Sequence, residues 1–165
     1  MEKNRNPEQV AEIISNGSLS FTDDYTEIRG NVRVKEMSFS GDAEIYGDVT
    51  AETIKVAGDL KVTGNLVAQV LEAEGEVTVD ESAKVDDISA ETILVKKNLE
   101  SSVEIETGIL IVEEDLKAYV VSLGNNENER LEDVFLVDGK VTVEEAIYVN
   151  EVAEFVSEEE IPLSE

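Results

Sequence analysis

The chain has 165 residues, with 39 acidic and 13 basic side chains, no histidine and no cysteine, and a formal net charge of −26. These counts exclude disulfides, thiol nucleophiles, imidazole acid–base chemistry and any zinc site built from the usual nitrogen and sulfur ligands. They also argue against direct binding to nucleic acid, because Lys96 and Lys97 are the one adjacent basic pair.

Taken in chain order, the first predicted element is a short helix. Asn6 is placed to cap it, Pro7 suits its first turn, Gln9 completes an Asn-x-x-Gln capping pattern, and Gly17 ends it. Val10, Ile13 and Ile14 would share one face and cover the open end of whatever follows. Residues 1–18 are accordingly read as an N-terminal capping helix and turn. Met1 leads into no apolar run, and no stretch reaches the roughly 18 apolar residues of a membrane span, so a cytoplasmic location is the expectation.

From Gly30 the chain repeats every 17 residues. Gly30-Asn31-Val32, Gly47-Asp48-Val49 and Gly64-Asn65-Leu66 open three copies, and Gly41, Gly58 and Gly75 mark their middles. The apolar positions follow the same period: Val32, Val49, Leu66 and Ala83 form one column, and Met37, Ile54, Leu71 and Ile88 another. Ala43, Leu60, Val77 and Leu94 form a third column. Polar residues alternate with these over short runs, which is the period of half-buried strands. A 17-residue unit is too short to bury its own apolar face and must stack on its neighbours. The predicted fold is therefore all-β, a parallel β-helix (β-solenoid) of about 17-residue coils, with repeats over residues 19–100. The core is expected to include Val32, Met37, Ile54, Leu60, Leu71 and Val77. The Gly-Asn and Gly-Asp pairs are read as corners that use positive φ.

The fourth copy breaks the strict period. Residues 88–95 match residues 49–56 better at a spacing of 39, which predicts an insertion of about five residues within residues 80–87. Beyond Lys97 the period fades, and residues 101–165 are read as a less regular, β-rich acidic region. Here Ile109 to Val112 reads as a buried strand, and residues 124–129 as an exposed acidic loop. Asp138-Gly139 carries a two-residue hairpin signal, and residues 143–156 are compatible with either helix or strand. The last nine residues are expected to fray.

A search for chemistry yields little. No Gly-rich phosphate loop and no dinucleotide fingerprint is present. Carboxylate pairs are too numerous to single out a glycosidase pair. Asp86-Asp87 and Glu113-Glu114-Asp115 could offer oxygens to calcium, but no Asp-x-Asp-x-Asp-Gly loop occurs, and solvated surface charge explains them. No enzymatic activity, cofactor or metal is expected.

The stretch from Gly30 to Val79 resembles the bactofilin family of polymer-forming bacterial cytoskeletal proteins. The likeness lies in its Gly-Asn/Asp-Val openings, its mid-copy glycines, and runs such as Gly47-Asp48-Val49-Thr50-Ala51-Glu52-Thr53-Ile54. The resemblance covers roughly residues 30–100. It implies a right-handed β-helix that assembles end to end into nonpolar filaments without nucleotide. The first expected function is therefore a structural scaffold that self-associates into oligomers or filaments, with Ile109, Leu110 and Ile111 at the distal end, which either pairs or is capped.

The alternative is a capped acidic module that binds a basic protein surface by imitating nucleic acid, as a phage-encoded inhibitor of a host nucleic-acid-binding defence protein would. Residues 98–165 carry 19 acidic and three basic side chains. The expected acidic face there is Glu113, Glu114, Asp115, Glu127, Glu129, Glu132 and Asp133. The partner is thus either a second copy of the chain or a basic protein.

Overall fold

A computed structural model describes residues 13–15, 17–124, 133–149 and 153–157. Among these residues there is no helix, and 19 strands pair in parallel throughout.

One coil explains the rest. In the strand Val49–Val56, alternation buries Val49 and Ala51, then breaks at Glu52-Thr53, then buries Ile54 and Val56. Two successive polar residues turn the chain, and the amides of Glu52 and Thr53 both donate to the Lys35 carbonyl of the coil before. A second corner at Ala57-Gly58-Asp59 leads into Leu60–Val62, where Leu60 and Val62 point inward. A third corner at Thr63-Gly64-Asn65 starts the next coil. Each coil therefore runs along three sides and sends two side chains inward from each. The first two sides form an eleven-stranded sheet, and the third forms an eight-stranded sheet. Eight stacked strands make a rod about 34 Å long at ~4.8 Å per step.

The core is a narrow aliphatic column. Val32, Met37, Ile54, Leu60, Leu71 and Val77 are all buried, and so are their counterparts as far as Val141 and Ile147. A fully buried Leu or Ile contributes ~1.5–3 kcal/mol. The buried polar side chains, Ser101 and Thr107, donate to the carbonyls of Asp86 and Glu91, respectively, so neither hydroxyl goes unsatisfied.

The corners are held by a ladder of side-chain acceptors. Asn31 Oδ1 accepts from the Asp48 amide, Asp48 from Asn65, and Asn65 from Ser82, at 2.8, 2.8 and 3.1 Å. The Ser82 hydroxyl accepts from Asn98, Asn98 from Asp115, and Asp115 from Lys140, at 3.4, 2.9 and 2.9 Å. A shorter ladder at another corner runs from Asp42 to Asp59 to Glu76. Each corner side chain thus satisfies an amide that the next coil would otherwise leave to water.

The glycines answer to this ladder. A Cβ on Gly64 would overlap Asp48 Oδ1 and the Gly47 carbonyl, and one on Gly75 would overlap Asp59 Oδ1. Neither glycine has positive φ, whereas the corner glycines Gly30 (143°) and Gly47 (158°) do, as does Gly124 (132°). Close approach between coils, more than left-handed backbone, excludes side chains at these corners.

Several expectations are corrected. Ile13–Ile14 is not the end of a helix; it is a strand pairing in parallel with Val32–Arg33. The rest of the expected helix, with Asn6, Pro7, Gln9 and Val10, lies outside the described residues. No insertion occurs within residues 80–87. Ala83 pairs with Leu66 and Ile88 with Leu71, both at the regular 17 residues. The coil is instead one residue short after Ser89, so that Val77 pairs with Ile93. The register is restored at Ser102-Val103, and Ile88 pairs with Ile105.

The solenoid also continues past Lys97. Ile109–Val112 stacks on Thr92–Val95 and Leu116–Leu123 on the strands before it. The register departs from 17 residues beyond them: Ile109 pairs with Val134 and Asp133 with Ala153, and the pairing of Leu116–Leu123 with Val141–Val149 shifts between Ala118 and Val120. Residues 125–129 of the expected acidic loop lie outside the described residues. Asp138-Gly139 is a solenoid corner and not a hairpin, because the strands on either side of it, Asp133–Val137 and Val141–Val149, belong to different sheets. Within residues 143–156, left open between helix and strand, the described residues belong to the strands Val141–Val149 and Ala153–Ser157.

Candidate interaction faces

The eight-stranded sheet presents two outward columns whose chemistry changes halfway along the rod. One runs Glu27, Glu44, Lys61, Thr78, Leu94, Ile111, Leu136; the other includes Tyr25, Asp42, Glu76, Thr92, Ile109 and Val134. The half nearer the N-terminus is polar and internally bonded. The Tyr25 hydroxyl donates to Glu44 at 2.7 Å, Arg29 pairs with Glu27 at 2.5 Å, and the Arg29 guanidinium lies 4.3 Å over the Tyr46 ring. The bond to Glu44, with smaller help from burial, pushes the Tyr25 phenol up to about 12. Hydrogen bonds from Tyr46 and Tyr25 hold the Glu44 carboxyl below its usual range.

The other half is aliphatic. Leu94, Ile109, Ile111, Val134 and Leu136 face outward and are only half-buried. This strip went unseen in the sequence because Ile109-Leu110-Ile111-Val112 is apolar at every position and reads as a strand buried on both faces. Column alignment of Thr78, Leu94 and Ile111 carried the signal.

The expected self-association residues are thereby divided. Leu110 is in the core at 0% exposure, whereas Ile109 and Ile111 lie on the outer strip. Their strand is an interior rung, with Asp133–Val137 and Ala153–Ser157 stacked beyond it, so they do not form the distal end.

Of the expected acidic face, Glu113, Glu114 and Asp115 form the corner just after Ile109–Val112 and are exposed. Asp115 spends one carboxylate oxygen on the corner ladder, while the Glu114 carbonyl accepts from Gly139. Glu127, Glu129 and Glu132 lie outside the described residues. Asp133 opens the strand Asp133–Val137. Exposed Asp138 stands beside the trio at the same corner of the next coil. Lys96 and Lys97, at the equivalent corner of the coil before, are matched by Asp80 and Glu81 at 3.5 and 2.6 Å. Unbalanced negative charge thus borders the aliphatic strip.

Elsewhere, Asp87 sits against Glu104 and Glu72; burial first, then Glu104, raises its carboxyl above the ordinary value. Asp86, the other acid of that pair, accepts from the Ser102 hydroxyl where the 17-residue register is restored. Two depressions, along Ser38, Lys55 and Glu72 and along Ser18, Met37 and Thr53, are open to solvent. Among the described residues no group of acidic side chains is arranged to hold a metal ion, and no helix is long and apolar enough to cross a membrane. Comparison with protein-family models, curated proteins and solved structures found no match to this chain.

Proposed function

We propose that the chain is a non-enzymatic structural scaffold of the cytoplasm, a bactofilin-like rod that self-associates through its first coil. One observation carries this reading: every coil is a template for the next, and the first coil is incompletely covered. Ile13, Leu19 and Phe21 are only partly buried, whereas Val32, Met37 and Phe39, which stack on them, are 2–3% exposed. Phe21 and Phe39 already stack at 4.9 Å, and another chain's apolar end would continue that pile.

The opposite end is less suited to growth. Lys140 stands at the corner position where earlier coils carry Asn, Asp or Ser, and an ammonium group has no acceptor to offer. Oligomers joined at the first coil are therefore favoured over long filaments. Light scattering across a concentration series at moderate salt tests this. The reading expects mass to rise with concentration and the rise to steepen with added salt, which screens the −26 charge. A fixed monomer mass throughout would contradict it.

A second reading, the acidic module that imitates nucleic acid, is favoured by the exposed corner of Glu113, Glu114 and Asp115 with Asp138 beside it. It expects a complex with a basic nucleic-acid-binding protein whose affinity falls steeply with salt.

A further inference from the structure

The outward half-sheet built from Leu94, Ile109, Ile111, Val134 and Leu136 has no role in the core, and a sheet side that serves only solvation would carry polar residues there, as the same sheet does at Glu27, Glu44 and Lys61. We propose that this strip is a docking face for a cationic amphipathic segment of a partner protein, one with an aliphatic or aromatic stripe flanked by lysine or arginine.

Size and charge select that occupant. Three stacked strands span about 10 Å between the outer two, which matches the width of a single helix or extended segment. Along the C-terminal ends of these strands lie Glu113, Glu114, Asp115 and Asp138, and, among the described residues, the basic side chains there are Lys140 and the acid-matched Lys96 and Lys97. Glu91 and Glu106 lie near the other ends. An apolar stripe would be buried on the aliphatic residues while its cations met both acidic borders. A second copy of this chain is disfavoured, because its own acids would be brought against these. The inference goes beyond the scaffold reading and does not depend on self-association: the first concerns a side of the rod and the second its end.

The test is fluorescence anisotropy with a labelled helical peptide of about 14 residues, leucine on one stripe and lysine elsewhere, and a control peptide with serine in place of leucine. The protein is expected to bind the leucine peptide and to lose at least about tenfold in affinity on Ile111→Thr with Leu136→Thr. Threonine is chosen because it keeps strand propensity at outward positions, and an unchanged thermal melt confirms the fold. Glu113→Gln with Glu114→Gln should weaken binding and flatten its salt dependence, while Lys84→Ala on another side should change nothing.

Equal affinity for the serine peptide, or no effect of the threonine pair, would overturn the proposal. So would a concentration-dependent rise in mass that the threonine pair abolishes, which would assign the strip to a second copy. Affinity that rises tenfold on Ile161→Ser with Leu163→Ser would assign it to the chain's own tail and equally overturn the proposal.

Discussion

The two halves of the eight-stranded sheet share a backbone and differ in everything they show to solvent. Inward, both halves carry the same aliphatic pairs, Ala43 and Ile45 in one and Leu110 and Val112 in the other. Outward, one half is closed on itself by Tyr25, Glu27, Arg29, Glu44 and Tyr46, and the other leaves five aliphatic side chains without such partners. The difference separates two requirements that a strand must meet. Stacking fixes the inner positions, because a buried carboxylate there would lack water and a counter-charge. It leaves the outer positions open, and those can be given to solvation in one place and to recognition in another.

The sharpest way to break this comparison is to place one charge in the core, from a strand of the eleven-stranded sheet, and another on the outer face of the eight-stranded sheet. Ile54→Asp, at a position with 0% exposure, should cost several kcal/mol and abolish the cooperative melt, whereas an outward change such as Leu94→Asp should leave folding nearly intact. Circular dichroism melts of the two variants decide it, and a cooperative transition retained in Ile54→Asp would contradict the inward assignment.

A smaller effect is expected at the corners. Gly64→Ala forces a methyl group against Asp48 Oδ1 and the Gly47 carbonyl, at a cost of ~1–3 kcal/mol by denaturant titration. Asn65→Ala removes only the acceptor for the Ser82 amide, with a cost nearer ~1 kcal/mol.

The smallest effect concerns the polar half, through Tyr25. Its folded value, about 12, lies above the ordinary 10.0, so the fold favours the protonated phenol. The stability this contributes is full below pH 10 and is lost as pH rises from about 10 to about 12. Ultraviolet titration should find two of the four tyrosines, Tyr25 and Tyr46, ionising above the ordinary value, and Glu44→Gln should bring both back toward 10. Ionisation of all four near the ordinary value would contradict the bond.

Much of this architecture was legible in the sequence, because a 17-residue period with matching aliphatic columns can be satisfied only by stacking. What misled was local likeness. Residues 88–95 resemble residues 49–56, but the former turn from the second side to the third and the latter from the first side to the second. Every corner of such a coil joins two short inward-alternating strands, so similar phrases recur at different corners and give a false register. Asp138-Gly139 misled in the same manner, since a tight corner and a hairpin ask for the same residues. The corner ladder was half visible: Gly-Asn and Gly-Asp were recognised as turns, yet the reason for the polar partner is an amide one coil away, which no single copy reveals. The outer strip was hidden by its own composition, because alternation cannot be seen where both faces are apolar.

The central claim is that each corner side chain templates the next coil as far as Lys140. Amide hydrogen exchange measured residue by residue tests it most directly. The amides of Asp48, Asn65, Ser82, Asn98, Asp115 and Lys140 sit at corners next to solvent, yet they should exchange slowly, and Asn65→Ala should release Ser82 ahead of its neighbours. Exchange of these six at the rate of an unstructured chain, with the strands still protected, would contradict the templated corner.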